Sequence, residues 1–308
     1  MAEGLSGVLN IRKPVGPTSH DVVARVRRLL RTRRIGHAGT LDPAAEGVLV
    51  LFLGTATRLI EYTADADKEY VADCLFGIAT TTLDATGEVT ATADASALHR
   101  AALEAVLPRF TGPILQVPPM YSAVHHEGKR LYELARRGEE VERAPREVVI
   151  HALELLAFTP GATARARLRV VCSKGTYIRT LAADIGAALE LPAHLAALTR
   201  TRVGPFRIED AVTLEALAAA AEWESDPAAS PLRRLLLPAS AAVAHLPGVV
   251  ITGADLARVR HGNAVTVPAP GDESASPVRI ESPEGELIGI GRRERTATGW
   301  CLQPQKVL

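Results

Sequence analysis

Residues 9–53 read LNIRKPVGPTSHDVVARVRRLLRTRRIGHAGTLDPAAEGVLVLFL and contain the two apolar segments that decide the fold. Leu9 and Ile11 predict a strand, which ends at the proline- and glycine-rich turn of residues 14–17. The continuous apolar run of residues 48–53 predicts a second, buried strand. A helix and a loop are predicted between the two strands.

The helix begins with Thr18 and Asp21, whose spacing predicts a capping box. Apolar residues within 22–30 then recur at helical spacing, and arginines fall on the opposite face. We therefore predict an amphipathic helix with a basic outer surface. Residues 35–47, with glycines and a proline, predict a loop that joins this helix to the buried strand.

The remainder of the chain alternates between strand and helix patterns. Further strands are predicted at residues 70–76, 148–155 and 164–172, and helices at residues 101–110, 177–191 and 211–221. Residues 118–146 are strongly charged and predict a mobile insertion with a helix near residues 131–137. From about residue 238, short apolar pieces separated by glycine and proline predict a small all-β domain, after a polar linker at residues 222–231.

Composition limits the possible classes of protein. The 308 residues are 47% hydrophobic and 23% charged, which is typical of a globular protein. No apolar run is long enough to span a bilayer, and the first residues do not resemble a signal peptide, so we expect a cytoplasmic protein. The three cysteines are far apart and form no CxxC pair, so neither a zinc site nor a disulfide framework is predicted.

Charge is balanced overall, with 35 basic and 35 acidic residues, but it is unevenly distributed. Residues 12–34 contain eight basic residues and one acidic residue. A local basic face on a neutral protein suits an enzyme that binds and releases a polyanion. The alternative, ordinary solvated helix faces, remains open from charge alone.

The loop GHAGTLDPAAEG, residues 36–47, is the most informative segment for function. It offers one histidine and one carboxylate between glycines, and loops held by rigid elements often carry catalytic groups. Composition alone favours a different role for Asp42, because an aspartate before a proline is most often a turn residue.

Several segments, in order along the chain, resemble the TruB family of pseudouridine synthases. They are LNIRKPVGPTSHDVVARVRR (9–28), GHAGTLDP (36–43), LGTATRLIEY (53–62), KEYVADCLFGIATTTLDATGEV (68–89), QVPPMYSAVHHEGKRLYELARRGEEVER (116–143), VVCSKGTYIRTLAADIG (170–186) and AHLAALTRTRVGPF (193–206). The end of the chain, residues 260–308, resembles more loosely the PUA-type RNA-binding domain that closes many of these enzymes. The alternative for this part is a small β domain of unknown role.

The resemblance implies an α+β fold. A catalytic domain would span residues 1–237, with a mixed, mostly antiparallel sheet, flanking helices and a tRNA-gripping insertion at about residues 118–146. A small β-rich PUA-like domain would span residues 238–308. It also implies isomerisation of uridine-55 in the tRNA T arm to pseudouridine, with Asp42 as the catalytic carboxylate and no cofactor or metal. Whether Asp42 attacks C6 of uracil, attacks C1′ of ribose or assists a glycal route stays open.

The resemblance further implies five substrate-binding residues. Arg179 would keep the carboxylate ionised by lowering the pKa of its buried carboxyl group and by bidentate pairing. Tyr70 and Tyr177 would contact the base, and His37 and Leu198 would contact the target nucleotide. Each has an ordinary alternative: core tyrosines, a histidine that caps the loop, an arginine paired with Asp84 or Asp184, and a core leucine on a helix.

This sequence departs from the family pattern at four places. Glu46 places a second carboxylate near the signature loop, and His125 stands where a lysine is common. Thr199 replaces one of the family's paired arginines, and Glu190-Leu-Pro192 replaces a cysteine- and glycine-rich turn. The Glu46 change is expected to disturb local electrostatics, and the changes at His125 and Thr199 to alter the RNA grip.

The expected partner is therefore the T-arm stem-loop of tRNA, bound by a monomer with no obligate protein partner and no membrane. Two alternatives are kept. One is the archaeal and eukaryotic relative that works with guide RNAs, against which the insertion and the short chain ends argue. The other is a non-catalytic tRNA-binding or tRNA-folding protein, against which the intact GHAGTLD and SKGTYIRT motifs argue.

Overall fold

The computed structural model describes residues 5–122, 125–126, 129–131, 134, 137–139, 141–222, 231–269, 276–297 and 299–308. The strands in these ranges, numbered here in chain order, are β1 (Gly7–Lys13), β2 (Ile35–His37), β3 (Ala45–Leu53), β4 (Lys68–Phe76), β5 (Ile78–Thr80), β6 (Val89–Thr92), β7 (Gly112–Gln116), β8 (His125–His126), β9 (Lys129–Arg130), β10 (Arg146–Thr159), β11 (Arg165–Cys172), β12 (Ala193–Val203), β13 (Phe206–Arg207), β14 (Gly248–Val250), β15 (Val265–Val267), β16 (Val278–Glu281), β17 (Leu287–Thr296) and β18 (Gly299–Val307).

The helices are short, and several connections are single 3-10 turns. The α-helices are α1 (Ser19–Leu29), α2 (Ile60–Ala64), α3 (Arg100–Val106), α4 (Ile178–Ala188), α5 (Leu214–Ala221), α6 (Pro231–Leu235) and α7 (Gly253–Arg260). The 3-10 helices cover Gly54–Leu59, Leu107–Phe110, Ile208–Asp210 and Ala239–Val243. Among the described residues, no helix is both long enough and apolar enough to cross a bilayer.

One large sheet carries most of the chain. Its strand order is β1-β3-β12-β4-β11-β10-β7, with β2 also paired to β3 and β13 to β12. Every pairing is antiparallel except that of β12 with β3, which is parallel. The predicted mixed, mostly antiparallel sheet with flanking helices is therefore confirmed.

Strand β3 explains why the segment VLVLFL is apolar at every position. Side chains alternate between the two faces of a strand, and both faces of β3 are covered. Leu49, Leu51 and Leu53 pack with helix α1 and strand β1 on one face. Val48, Val50 and Phe52 pack on the other face, against the 3-10 helix Ala239–Val243 and the C-terminal sheet.

Helix α1 begins as the sequence predicted. Thr18 accepts a hydrogen bond from the Asp21 backbone amide, and Asp21 accepts one from the Thr18 amide, which completes the capping box. Val22 and Val26 are buried, whereas the arginines lie on the exposed face. The predicted basic amphipathic helix is confirmed.

Helix α4 covers a second apolar core on the other half of the sheet. Ile178, Leu181 and Ile185 are buried there against β4, β11 and β12. Because this helix is anchored along its buried face, the residues at its first turn are held firmly at the sheet surface. Arg179 lies in that first turn.

The C-terminal residues form a separate five-stranded sheet in the order β14-β16-β17-β18-β15. The predicted C-terminal β-rich fold is confirmed. It packs on the large sheet through Leu287 and Ile290, and Lys306 forms an ion pair with Glu61 at 3.0 Å. The sequence did not predict helix α7 or the last strand, β18.

Other predictions differ in detail. Residues 35–37, predicted as part of a loop, form strand β2, so the loop between β2 and β3 covers only residues 38–44. Much of the predicted insertion at residues 118–146, including most of its helix, lies outside the described residues. So does most of the predicted linker at residues 222–231.

Candidate active site

The loop of residues 38–44 carries Asp42, and Arg200 holds it in place from strand β12. The Arg200 side chain is 1% exposed. Its Nε donates to the carbonyl of Val48 at 2.8 Å, and its two terminal nitrogens donate to the carbonyls of Thr40 at 3.2 Å and Gly39 at 3.1 Å. One guanidinium group therefore joins the loop to the strand that follows it.

This contact requires a glycine on the facing strand. Gly47 lies opposite Arg200 in the parallel pairing of β3 with β12 and has a φ of 111°. A Cβ atom at Gly47 would come within 2.2 Å of the Arg200 carbonyl oxygen. No larger residue fits without moving one of the two strands.

Two further side chains fix the same loop from strand β1 and helix α1. Lys13 is fully buried, and its Nζ donates to the carbonyls of Ala45 at 2.7 Å and Pro14 at 2.9 Å. The Ser19 hydroxyl donates to the Leu41 carbonyl at 3.0 Å and accepts from the Leu41 amide at 2.9 Å. The backbone on both sides of Asp42 is thus anchored to buried groups.

Asp42 forms an ion pair with Arg179 across the cavity. Arg179 Nε lies 3.0 Å from Asp42 Oδ2, and the Arg179 side chain is 6% exposed against 42% for Asp42. Two expectations were wrong here: the pairing is through one oxygen rather than bidentate, and the carboxylate is not buried. The other guanidinium nitrogens are engaged elsewhere, by the carbonyls of Tyr121 at 2.7 Å and Thr82 at 3.2 Å and by Asp84 at 3.7 Å.

A cavity of about 270 Å³ opens over the carboxylate of Asp42. The predicted residues that line it are Asp42, Tyr70, Tyr177, Arg179 and Leu198. Leu198 lies on strand β12, not on a helix as predicted. The structure therefore gathers five of the six predicted site residues around one opening. Among the described residues, no group of three or more His, Cys, Asp or Glu side chains is placed to hold a metal ion.

Tyr70 forms one wall of this cavity and is 8% exposed. Burial raises the pKa of its hydroxyl, and the positive charge of Arg200 opposes the rise. Burial also lowers the pKa of Lys13 and of Lys68 to about 8 in each case. Lys68 lines the same cavity and donates to the carbonyls of Ala64 at 2.5 Å and Ala66 at 2.6 Å.

His37 is the predicted site residue that the structure places apart. It lies at the end of strand β2, and it does not line the cavity. Its ring contacts the ring of His20 edge to face at 5.7 Å, and His20 lines a neighbouring cavity of about 720 Å³ that also reaches Asp42. Burial lowers the pKa of His37, so the ring is neutral at neutral pH.

Two departures from the family pattern contact each other. Thr199 lies opposite Glu46 in the pairing of β12 with β3, and its hydroxyl donates to Glu46 Oε1 at 3.3 Å. Arg12 lies 3.6 Å from the other carboxylate oxygen of Glu46. The second carboxylate near the loop is therefore paired on both oxygens. The His125 side chain lies outside the described part of the protein.

Sequence reasoning missed the groups that hold the loop. Arg200 belongs to the run Thr199-Arg-Thr-Arg202, in which nothing distinguishes the buried arginine from its half-buried neighbour. Lys13 offered a weak signal, because it directly follows an apolar strand and a charge there needs a partner. Ser19 gave none beyond its place in the first turn of a helix.

Solved structures share this fold over nearly the whole chain. A chain in the structure of an H/ACA RNP bound to a substrate RNA containing 2′-deoxyuridine has a TM-score of 0.76 and 30% identity, covering 98% of this chain and 84% of that one. A chain of the archaeal box H/ACA sRNP Nop10-Cbf5 complex has a TM-score of 0.75 and 31% identity, covering 98% and 85%. The fold and the site together define a pseudouridine synthase.

Family models match almost end to end. They are the TruB family pseudouridylate synthase N-terminal domain at residues 27–178, the tRNA pseudouridylate synthase B C-terminal domain at residues 179–244, and the pseudouridine synthase II TruB C-terminal model at residues 247–307. Tyr177 and Arg179 fall on either side of the first boundary, although they line one cavity.

Curated relatives agree with these models. The protein named tRNA pseudouridine synthase B from Symbiobacterium thermophilum is 54% identical over 86% of this chain and 85% of its own length. The protein of the same name from Moorella thermoacetica is 47% identical over 98% of this chain and 99% of its own. The chain belongs to the TruB family of pseudouridylate synthases.

Proposed function

We propose that the protein converts uridine-55 in the T arm of tRNA to pseudouridine, with Asp42 as the catalytic carboxylate. The observation that carries this proposal is the ion pair of Asp42 with the buried Arg179 in a cavity walled by Tyr70, Tyr177 and Leu198. The names of the relatives from Symbiobacterium thermophilum and Moorella thermoacetica support tRNA as the substrate.

The reaction breaks the bond between ribose C1′ and uracil N1, and the base rotates before C1′ bonds to C5. The proton on C5 leaves and N1 gains one, so atoms balance and no redox change occurs. The target base must leave its stack to reach Asp42, which requires flipping. Arg179 orients the carboxylate and offsets its charge, and the exposed face of Asp42 is free to meet the nucleotide.

Tyr70 and Tyr177 hold the detached base by contact with its faces, since stacking on an aromatic ring is worth about 1–3 kcal/mol per base. Tyr70 also moves a proton. Because burial raises the pKa of Tyr70, the hydroxyl is protonated at neutral pH. It therefore accepts the C5 proton only as it passes its own proton to water in the open cavity, and N1 takes its proton from the same water. The positive charge of Arg200 stabilises the tyrosine oxygen during that transfer. His37 contacts the substrate from outside this cavity.

We also propose how the chain is divided into domains. Residues 1–237 form the catalytic domain and residues 238–308 a PUA-like RNA-binding domain, which the separate C-terminal sheet and the exposed Arg292 support. The enzyme works in the cytoplasm as a monomer on the T-arm stem-loop, without an obligate protein partner. This proposal is supported by the fact that Asp42, Arg179 and both tyrosines, all from this chain, line one cavity.

Tritium release from tRNA labelled at uridine C5 tests the function directly. The wild-type protein should release tritium, and Asp42→Asn should abolish release while leaving the Kd for tRNA within a few-fold, because the substitution keeps size and hydrogen-bonding capacity. Asp73→Asn is a matched control, since Asp73 pairs with Arg167 on the sheet surface and lines neither cavity. Turnover by Asp42→Asn would remove Asp42 from the mechanism.

The same assay separates the alternative function. A non-catalytic tRNA-binding or tRNA-folding protein would bind the labelled tRNA and release no tritium in the wild-type form. The guide-RNA alternative would require added RNA for any release. Release by the purified chain on tRNA alone contradicts both.

A further inference from the structure

Ser122 carries a buried hydroxyl group that the protein does not use. The residue is 6% exposed, and its Oγ has no hydrogen-bond partner among the described residues. The other buried serine and threonine hydroxyls of the described chain each make a hydrogen bond; they belong to Ser19, Thr63, Thr80, Thr180 and Ser282. Buried polar groups in native proteins are nearly always paired, so the exception at Ser122 needs a cause.

The position of Ser122 offers a cause for its unpaired hydroxyl group. It lines both the 270 Å³ cavity over Asp42 and the neighbouring 720 Å³ cavity. The residues common to both linings are Thr40, Leu41, Asp42, Ser122 and Arg179. Thr40, Leu41 and Asp42 belong to the Asp42 loop, so Ser122 and Arg179 are the two shared residues that come from other parts of the chain.

The backbone beside Ser122 is fixed by the arginine that holds Asp42. Arg179 Nη2 donates to the Tyr121 carbonyl at 2.7 Å, and Arg179 Nε pairs with Asp42. The Ser122 amide donates to the Met120 carbonyl at 3.0 Å. The unpaired hydroxyl is therefore held at a defined place relative to the carboxylate, and a hydroxyl can both donate and accept.

We propose that Ser122 contacts the substrate, with its hydroxyl hydrogen-bonded to the nucleotide that enters beside Asp42. The inference rests on the proposed function, since it assigns one more contact in the same site. The partner is a polar atom of the flipped nucleotide, either the ribose 2′-hydroxyl group or the polar edge of the uracil. The substrate thus supplies the hydrogen bond that the free protein lacks.

A substrate contact and a structural role predict opposite effects. An unpaired buried hydroxyl opposes folding, so its removal should leave the melting temperature unchanged or raise it. If the hydroxyl bonds the substrate, its removal should lower kcat/KM about three- to ten-fold, the range for one neutral hydrogen bond. A structural hydroxyl would lower the melting temperature instead.

The experiment compares Ser122→Ala with the wild type on a T-arm stem-loop RNA, with kcat/KM and Tm both measured. Ser282→Ala is the matched control, because that buried hydroxyl accepts from the Glu286 amide within the turn between β16 and β17, outside both cavities. We expect Ser122→Ala to lose kcat/KM without losing Tm, and Ser282→Ala to lose Tm without losing kcat/KM. Ser122→Cys keeps the shape of the side chain and a weak donor, so its kcat/KM should lie between those of the wild type and Ser122→Ala.

An RNA with 2′-deoxyuridine at the target position locates the partner. A loss on Ser122→Ala that disappears on this RNA assigns the ribose 2′-hydroxyl, and an equal loss on both RNAs assigns the uracil; either result supports the proposal. An unchanged kcat/KM for both Ser122 variants, or a fall in Tm like that of Ser282→Ala, overturns it. An inactive wild-type protein would overturn the proposed function instead.

Discussion

Two sets of cations lie in this protein, one inside the site and one on a helix face. The inner cations are Lys13, Lys68, Arg179 and Arg200, each 6% exposed or less. The outer arginines are Arg27, Arg28, Arg31 and Arg33, which lie exposed around the end of helix α1 and line one shallow depression. The two sets carry charge of the same sign but differ in burial and in hydrogen-bond partners.

The inner cations are almost fully engaged with the protein. Lys13, Lys68 and Arg200 each donate to at least two backbone carbonyl groups, and Arg179 adds the carboxylate of Asp42. Because burial of a charge is costly without such partners, these residues fix the backbone around them. The inner cations give up contact with water and in exchange hold the backbone of the site in place.

The outer arginines are mostly unengaged. In the described part of the chain, Arg28, Arg31 and Arg33 have no ion-pair partner, and Arg27 donates one hydrogen bond, to the Ile35 carbonyl at 2.8 Å. Charges of this kind remain available to phosphates and act through long-range attraction. A net charge of zero therefore conceals two kinds of basic residue, one engaged inside the protein and one exposed and available to phosphate groups.

The largest expected effect is at Tyr70, which lines the cavity over Asp42 and whose hydroxyl is influenced by the positive charge of Arg200. Tyr70→Phe keeps the ring and removes the hydroxyl, so turnover should fall about 10²–10⁴-fold with nearly normal RNA binding. Tyr70→Leu should lose turnover and also weaken binding. Single-turnover rates and Kd on T-arm RNA measure both. Full activity in both variants would make Tyr70 an ordinary core residue.

Arg200→Lys tests whether the inner cations act through geometry rather than charge. Lysine keeps the positive charge but carries all its donors on one nitrogen, which cannot replace the three separate nitrogens that Arg200 uses, so the Asp42 loop should shift. A displacement near 1 Å can cost about 10²-fold, and we expect kcat to fall about 10- to 100-fold with little change in KM. Arg202→Lys is the control, because Arg202 donates to the Gly204 carbonyl and lines neither cavity. An equal kcat for Arg200→Lys and Arg202→Lys would show that the geometry of Arg200 is not needed for catalysis.

The outer arginines should show the opposite behaviour. Arg28→Glu combined with Arg31→Glu should weaken tRNA binding and reduce the slope of log Kd against log salt by about 1–2, with kcat at saturating RNA unchanged. Arg100→Glu, on helix α3 away from both cavities, is the control. A salt slope unaltered by the double variant would show that this face does not meet phosphates.

The smallest effect concerns pH and stability. Burial lowers the pKa of Lys13 from 10.5 to about 8, so between these values the unfolded chain binds more protons than the folded one. Stability should therefore rise with pH through this window, by about 1 kcal/mol per lysine between pH 8 and 9. Above pH 10 the raised pKa of Tyr70 acts in the opposite direction. The free energy of unfolding, measured with denaturant at several pH values, should rise less steeply with pH in Lys13→Met than in Lys174→Met. Lys174 is an exposed control.

The sequence predicted elements where local pattern and tertiary context agree. Strand β3 and helix α1 are examples, since an apolar run and a capping box each favour one structure. Strand β12 is the counterexample: its alanines and leucines favour a helix at Leu198, but pairing with two neighbours makes it a strand. Strand β18 contains Pro304, which argues against a strand; it is accommodated at a register shift in the pairing with β17.

The site divides in the same way. Asp42 and Arg179 could be named because motifs of a known family carry them, and the structure places them 3.0 Å apart. Arg200 and Ser122 could not be named from the sequence. Their importance depends on burial and on which partners they have or lack, and a single sequence contains neither kind of information.

The parallel pairing of β12 with β3 affects how the nascent chain folds during synthesis. Strand β12 lies between β3 and β4 in the sheet, although about 120 residues or more separate it from either in sequence. During synthesis on the ribosome, the Asp42 loop therefore emerges long before Arg200, which is needed to hold it. Contacts this distant in sequence also slow folding. Catalytic competence should thus be gained late, in one step, when residues near 200 leave the exit tunnel and enter the gap in the sheet.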